Sequence, residues 1–431
     1  MATAPPHDVL EDAEAEAREA ARHEPGDTMH IETDAHAQEG RPNPEVAAAS
    51  RNGSASKVPS LRQFLKSVVQ VGGSDLHLQA DSTPVIRVDG RLRFLDCGQP
   101  DNEMMVGFVK ELAGDDEKFQ EFLDKGSCDT SYALYKSGGK EKADGTDELI
   151  ARFRVASFHS RSKAAVVLRK INTVIPKFDD LALPPQIQKL ADLYRGLVIV
   201  SGTTGSGKST TLAAIIGKIN RSRSERIITV EDPIEFEHQD NKSLVSQVEV
   251  GTDTSSYDHA LRAAMRQDPD TMLIGEIRDG FSLMTALRAA DTGHLVFSTV
   301  HATNASMTIE RVVALFDSQQ ADLMNTQLAT NLACVFCQRL AKKRNSKGRV
   351  PVVEVMYMTP LARRYIMEKE YEKLKSIVGN KEAGNQSFDQ HLTELFHKQI
   401  IDVNEAKRLA TNVDALNLAL RGIGNSDNRL T

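Results

Sequence analysis

The chain has 431 residues, of which 40% are hydrophobic and 26% charged, with a formal net charge of −7 and a pI near 6.0. That length predicts more than one folded unit. The acidic balance excludes a global basic field of the kind that holds nucleic acid. The longest apolar runs are strand-sized, such as "GLVIVSG", against roughly 18–20 residues for a membrane span. The acidic start "MATAPPHDVLEDAEAEAREA" lacks the basic-then-apolar order of a secretory signal, so a cytoplasmic protein is expected.

Residues 1–57 are rich in Ala, Glu, Asp, Pro, Gly and Ser. Such a composition buries too little apolar surface to offset chain entropy, and a disordered acidic tail is expected. From Val58 the pattern changes. "SLRQFLKSVVQV" spaces its apolar residues on one helical face. "DLHLQA" reads as a strand, and "PVIRVDGRLRFL" alternates around Asp89-Gly90 as a hairpin. Residues 101–126 read as helical. "CDTSYAL", "IARFRVASFH" and "KAAVVLRKI" read as strands, the first two joined by "YKSGGKEKADGTDE". These elements predict an α+β domain over 58–183 and a linker or hinge at 184–194.

From Arg195 the strands "LVIVSG", "RIITVED", "DTMLIGE" and "HLVFSTV" alternate with helices that begin near Lys208, Tyr257, Gly280 and Ser306. Apolar strands separated by helices predict a parallel α/β sheet over 195–360. The region 361–431 reads as amphipathic helices. Four cysteines in such a chain do not suggest a disulfide framework. Cys334 and Cys337 form a lone C-x-x-C in "LACVFCQRL" without a second pair to complete a zinc site. They are expected on a buried helix.

The chemistry gathers at strand ends. "GTTGSGKST" runs from Gly202 through Thr203, Thr204, Gly205, Ser206, Gly207, Lys208 and Ser209 to Thr210, after a strand and into a helix. That is the context a phosphate-binding loop requires. Its glycines let successive N–H groups aim at phosphate oxygens, Lys208 reaches the β- and γ-phosphates, and Ser209 is placed for Mg²⁺. "IITVEDPIEFEH" ends a strand in Glu231-Asp232-Pro233 with Glu235 just beyond, where a carboxylate is placed to orient water. "DPDTMLIGEIRD" has Gly275 where such a strand usually ends in an Asp that holds Mg²⁺, often through water, and the longer carboxylate of Glu276, which follows, is expected to do the same work. His294 and His301 bracket the strand in "TGHLVFSTVHATNA". His301 is expected at the nucleotide end as a γ-phosphate sensor and His294 at the opposite end. The two are too far apart on the strand to share a metal.

These stretches in order, with "GGSDLHL" and "RFRVASF" before them and "LRAAMRQDPDTMLIGEIRD" among them, resemble the secretion-superfamily motor ATPases of the PilT/PilU type that power type IV pilus retraction. The resemblance covers about residues 60–360. It implies a PAS-like N-terminal domain, a RecA-like ATPase domain, a homohexameric ring and ATP with Mg²⁺ as ligands. It also implies docking on an inner-membrane pilus platform protein from the cytoplasmic side, no nucleic acid, and in some relatives a second motor ATPase as partner.

Carried over residue by residue, Lys208 and Ser209 match the Walker A pair. Glu235 matches the catalytic glutamate that polarises water, and Glu276 the Walker B acid. His294 and His301 match the His box. Arg262 and Arg266 match arginines before Walker B that are candidates to act in trans. Arg154 and Arg169 match nucleotide-approaching positions of the first domain. Two departures stand out. Val248 occupies a position where the family commonly has Arg. "PLARRYIMEKE" only loosely follows the retraction-motor tail, and "SFDQHLTELF" and "NVDALNLALRGI" look closer to the accessory PilU type. An accessory motor, another ATPase of a pilus or type II secretion system, and a RecA-like nucleic-acid motor are the rival readings. The lack of a basic, aromatic-interleaved stripe argues against the last.

Overall fold

A computed structural model describes residues 57–421 apart from 89, 137–148, 172–174, 345–347 and 382–383. The expected tail up to residue 56, Asp89 of the hairpin turn, most of the "YKSGGKEKADGTDE" loop and residues 422–431 lie outside the described residues. The chain divides between Thr173 and Val174 into two units.

In the first unit, helix α1 (Leu61–Gln70) starts at Ser60, whose hydroxyl accepts from the Gln63 N–H in a capping box. β1 (Asp75–Gln79), β2 (Val85–Val88) and β3 (Arg91–Phe94) follow. Then come α2 (Asn102–Ala113) and α3 (Asp116–Lys125), each ended by a left-handed glycine, Gly114 and Gly126. β4 (Ser127–Tyr135), β5 (Leu149–Ser160) and β6 (Lys163–Ile171) complete an antiparallel sheet of order β3-β2-β1-β6-β5-β4. One face buries Leu76, Leu78, Ile86, Phe153, Val155, Val166 and Leu168 against Phe64, Leu65 and Val68 of α1 and Phe108 of α2. The other face carries a row of paired positions, Arg87, Asp75, Arg169 and Arg154, one from each of four neighbouring strands.

The second unit is built on a sheet of order β13-β12-β7-β11-β10-β8-β9. β7 (Gly196–Ser201), β8 (Arg226–Glu231), β9 (Leu244–Glu249), β10 (Thr271–Ile274), β11 (Leu295–Val300) and β12 (Leu332–Lys342) pair in parallel, and β13 (Arg349–Tyr357) runs antiparallel at one edge. The turns and helices before β7 include α4 (Pro185–Gln188). The sheet is then crossed by α5 (Lys208–Ser222), α6 (Tyr257–Ala264), α7 (Gly280–Asp291), α8 (Ala305–Val313) and α9 (Ser318–Asn331). Alternate residues of β7 feed two cores. Leu197 and Ile199 join one cluster, Val198 and Val200 the other. Burial on both faces is what an all-parallel core demands.

Two expectations change. Phe178, Leu183, Ile187, Leu190 and Ala191 are buried with β7 and α5, so the stretch expected to close the first domain and form a hinge packs as part of the second unit. The C-terminal helices are α10 (Pro360–Met367), α11 (Leu374–Val378), α12 (Phe388–His397), α13 (Val403–Leu409) and α14 (Val413–Leu420). They are the helices expected there, and they pack on the sheet domain, since Ile366, Leu374, Phe388, Leu392 and Leu416 share the cluster that buries α7 and α8. "LACVFCQRL" is strand β12, not a helix. A strand buried on both faces shows no alternation, so periodicity cannot separate it from a buried helix. Cys334 and Cys337 fall in opposite cores and cannot act as a pair.

Candidate functional site

β7 delivers the chain at Ser201 into the loop 202–207, and α5 begins at Lys208. Gly202, Gly205 and Gly207 have φ of 150°, 76° and 86°. The fit of loop and sheet explains two of them. A Cβ at Gly202 would lie 2.5 Å from the Gln338 carbonyl oxygen, and one at Gly207 would lie 2.8 Å from the Gln338 side-chain nitrogen. Gln338, on β12, donates to the Ser206 carbonyl at 2.8 Å and accepts from the Thr211 hydroxyl at 2.8 Å. It is buried and braces the loop from behind. Sequence reasoning missed it, because β12 had been read as a helix.

The Lys208 ammonium is buried and donates to the carbonyls of Gly202 at 3.0 Å and Thr203 at 3.3 Å. Burial lowers its pKa, against the charges of Glu276 and Glu235, which raise it. Both acids therefore act on this ammonium. The Ser206 hydroxyl is buried without a hydrogen-bond partner among the described residues. Glycines without room for a side chain, a buried cation and a helix N-terminus make a cradle suited to phosphate.

The acids are held by neighbours. Glu231, at the end of β8, accepts from the Thr229 hydroxyl at 2.7 Å, the Gln247 amide at 3.2 Å and the backbone of Glu235. Burial pushes its carboxyl above the usual range, and those hydrogen bonds oppose the shift. Glu249 accepts from the Ile234 N–H at 3.1 Å. The turn that presents exposed Glu235 is thus tied from both sides. Glu276 follows β10, its backbone N–H donating to the Tyr257 hydroxyl at 3.1 Å. One carboxylate oxygen lies 3.4 Å from His301 Nε2 and the other 3.4 Å from Arg278 Nε. Arg278 also donates to Asp232 at 3.0 Å and so bridges the two acidic loops. Burial opposes its charge, but the Asp232 and Glu276 carboxylates hold its pKa up. Its signal was legible two residues after Glu276 in "GEIRD" but was not used.

Glu276 and His301 thus meet, and the charges of Glu276 and Glu235 both act on Lys208. The structure places His294 at the other end of β11, where ring Nδ1 lies 2.9 Å from the Ala289 carbonyl and 3.0 Å from the Thr292 hydroxyl, closing the end of α7. Arg262 is exposed on α6 with its guanidinium 4.6 Å over the Phe281 ring, beside a surface cavity of about 410 Å³ that Arg288 and Met324 also line. Arg266 is exposed in the turn after α6. Val248 packs against the larger core of the second unit.

Arg154 and Arg169 stand on the open face of the first unit. Arg169 donates to Asp75 at 2.8 Å, Arg87 lies 3.7 Å from the same carboxylate, and Ser74 donates to it at 2.7 Å. Burial alone would raise the Asp75 pKa, but the Arg169 and Ser74 hydrogen bonds and the charge of Arg169 take it below the usual range. No helix among the described residues is long and apolar enough to cross a membrane.

A phosphate loop on a parallel sheet, with acids at the C-terminal ends of neighbouring strands, defines the class of P-loop nucleotide-hydrolysing proteins. Residues 145–408 match the family model described as type II/IV secretion system protein. The chain is 36% identical over 353 residues to the type IV pilus retraction ATPase PilT of Pseudomonas aeruginosa, covering 81% of this chain and 98% of that one. It is 36% identical over 370 residues to the type IV pilus ATPase PilU of the same organism, covering 85% and 92%. The crystal structure of the pilus retraction motor PilT with bound ADP matches with a TM-score of 0.72 at 34% identity, over 83% of this chain and 99% of that one. The chain belongs to the type II/IV secretion system ATPase family.

Proposed function

We propose that this protein is a motor ATPase that hydrolyses ATP to drive retraction of a type IV pilus. The observation that carries the reading is the glycine cradle around the buried Lys208 ammonium, with Glu276 against His301 at neighbouring strand ends, in a chain similar to PilT over nearly all of PilT's length. Lys208 and the amides of 202–209 hold the phosphates. Glu235 accepts a proton from the attacking water and aims it at the γ-phosphorus. His301, against Glu276, reports whether the γ-phosphate is present. Arg262 and Arg266, exposed and outside this cluster, act on a neighbouring subunit's nucleotide in a homohexameric ring. Arg154 and Arg169 answer to nucleotide from the first unit.

The donor set fits Mg²⁺ bound mainly by phosphate and water, because one hydroxyl, Ser209, and one carboxylate, Glu276, are the ligands this chain offers. When bound, the ion neutralises charge on the β- and γ-phosphates. The protein works in the cytoplasm and docks on an inner-membrane platform protein.

Glu235→Gln should cut turnover on the order of 10²–10⁴-fold with nucleotide still bound; turnover at the unchanged rate would sink the role given to Glu235. Deleting the gene and scoring pili and twitching tests the direction of force. Surplus pili without motility mean retraction, and absent pili mean assembly. The equal identity to PilU favours a second reading, an accessory motor. For that reading the deletion shows no defect until the pilus works under load, and ATPase activity rises when a second motor is added.

A further inference from the structure

The loop from His301 to Asn304 is gripped along its length by side chains of the sheet. Ser201 donates to the Ala302 carbonyl at 3.2 Å. Arg339 of β12 donates to the Thr303 carbonyl at 3.3 Å. Glu354 of β13, itself buried, accepts from the Ala305 N–H at 2.9 Å. Two of these holders also grip the C-terminal helices. The Arg339 guanidinium lies 3.8 Å over the Phe388 ring at the start of α12. The same group donates to the Leu409 carbonyl at the end of α13, and lies 3.5 Å from the Thr411 hydroxyl. Glu354 accepts from the backbone of Phe388 as well. Asp389 closes the arrangement by accepting from the Thr411 and Asn412 N–H groups at 2.7 and 3.0 Å. One guanidinium thus joins two carbonyls, one beside the site and one on the far helices. Its two terminal nitrogens take one carbonyl each, a fixed spread that the compact point charge of an ammonium does not reproduce.

We propose that Arg339 is a positioning residue that couples the His301 loop to helices α12–α14, so that a change in nucleotide state at His301 is passed to the C-terminal helices and a load on those helices is passed back. Arg339 touches no nucleotide in this scheme. It acts through the Thr303 carbonyl and hence through the seat of His301 against Glu276. The coupling needs a shared element that both ends bias, and the loop 301–305 is that element. The inference rests on the nucleotide-sensing role given to His301.

Hydrogen exchange on the full chain, with turnover and ADP binding read in parallel, tests it. Arg339→Gln should speed exchange of the amides at 302–305 together with those at 409–412. It should lower turnover about tenfold while ADP affinity stays within about twofold. Arg339→Lys should rescue neither, because the charge returns without the fork. Asp389→Asn approaches from the far side. It loosens the turn at 411–412 without touching the loop, and it too should speed exchange at 302–305. If either variant quickens only 409–412 with turnover unchanged, Arg339 is a local brace and the coupling is refuted. If the wild-type chain shows no ATPase activity but the paired exchange appears, the activity reading fails and this one stands.

Discussion

The two units display charge in opposite ways. The antiparallel sheet of the first unit packs helices on one face and leaves the other open. Arg87, Asp75, Arg169 and Arg154 therefore line up in mid-strand, across four strands. In the second unit the central parallel strands β7, β8, β10 and β11 are buried on both faces, which drives their ionisable groups to the strand ends. Lys208, Glu235, Glu276 and His301 all follow β7, β8, β10 and β11. In the first arrangement a charge is set by the register of its neighbours. In the second it is set by where a strand stops. A substitution at a strand end of the second unit should therefore cost function, and one in the row of the first unit should cost stability.

The sharpest break of that contrast would come from Lys208→Ala. It removes the one buried cation of the cradle and should lower hydrolysis by at least 10²–10³-fold, to order of magnitude. A steady-state ATPase assay within tenfold of the unchanged protein would undo the site. Next is Gln338→Ala, which leaves the Ser206 carbonyl and Thr211 hydroxyl without their partner. It should cost about 2–3 kcal/mol in denaturant unfolding of the second unit and weaken nucleotide binding as well. Loss of stability with unaltered binding would reduce Gln338 to packing.

Asp75→Asn tests the first unit. The arginines it abandons are 37% and 69% exposed, so water screens most of the loss and about 1–2 kcal/mol is expected. A drop of several kcal/mol would mean that the row is shielded from solvent in the working assembly.

The smallest effect concerns His391, buried under β13 with Nδ1 accepting from the Val353 N–H. Burial takes its pKa from 6.5 to about 4. The unfolded chain then binds a proton that the folded one refuses, so stability falls as pH drops from the unfolded value towards the folded one. His391→Gln should remove about 1 kcal/mol of that fall between about pH 6.5 and 5.5, seen in melting temperature against pH. An unchanged slope would assign the fall to other groups.

Much of the second unit was legible because its signals are local. Strand, glycine loop and helix follow one another in "LVIVSGTTGSGKSTTLAA", and the acids sit just past apolar runs. The supports were not legible. Gln338 and Tyr257 reach the site across strand order with nothing in their own neighbourhoods to mark them, and Arg278 and Glu231, though in marked stretches, bond to partners far away in the chain. β12 was misread for a related reason, since a doubly buried strand has no period to read. The first unit shows the same division. Its hairpins and helix caps were visible, while the two arginines on the Asp75 carboxylate, and Arg154 beyond Arg169, needed the β1–β2, β1–β6 and β5–β6 registers.

Adjacent residues already specify the chemistry offered at the strand ends: a phosphate loop, a lysine, two glutamates and a histidine. Backbone freedom, charge and hydrophobic runs are properties of adjacent residues. Only the tertiary structure decided which groups hold that chemistry in place. It put Gln338 against Gly202 and Gly207, Arg278 between two acids, and Arg339 between the His301 loop and the last helices. Sheet order does that, and it is set by packing between residues far apart in the chain.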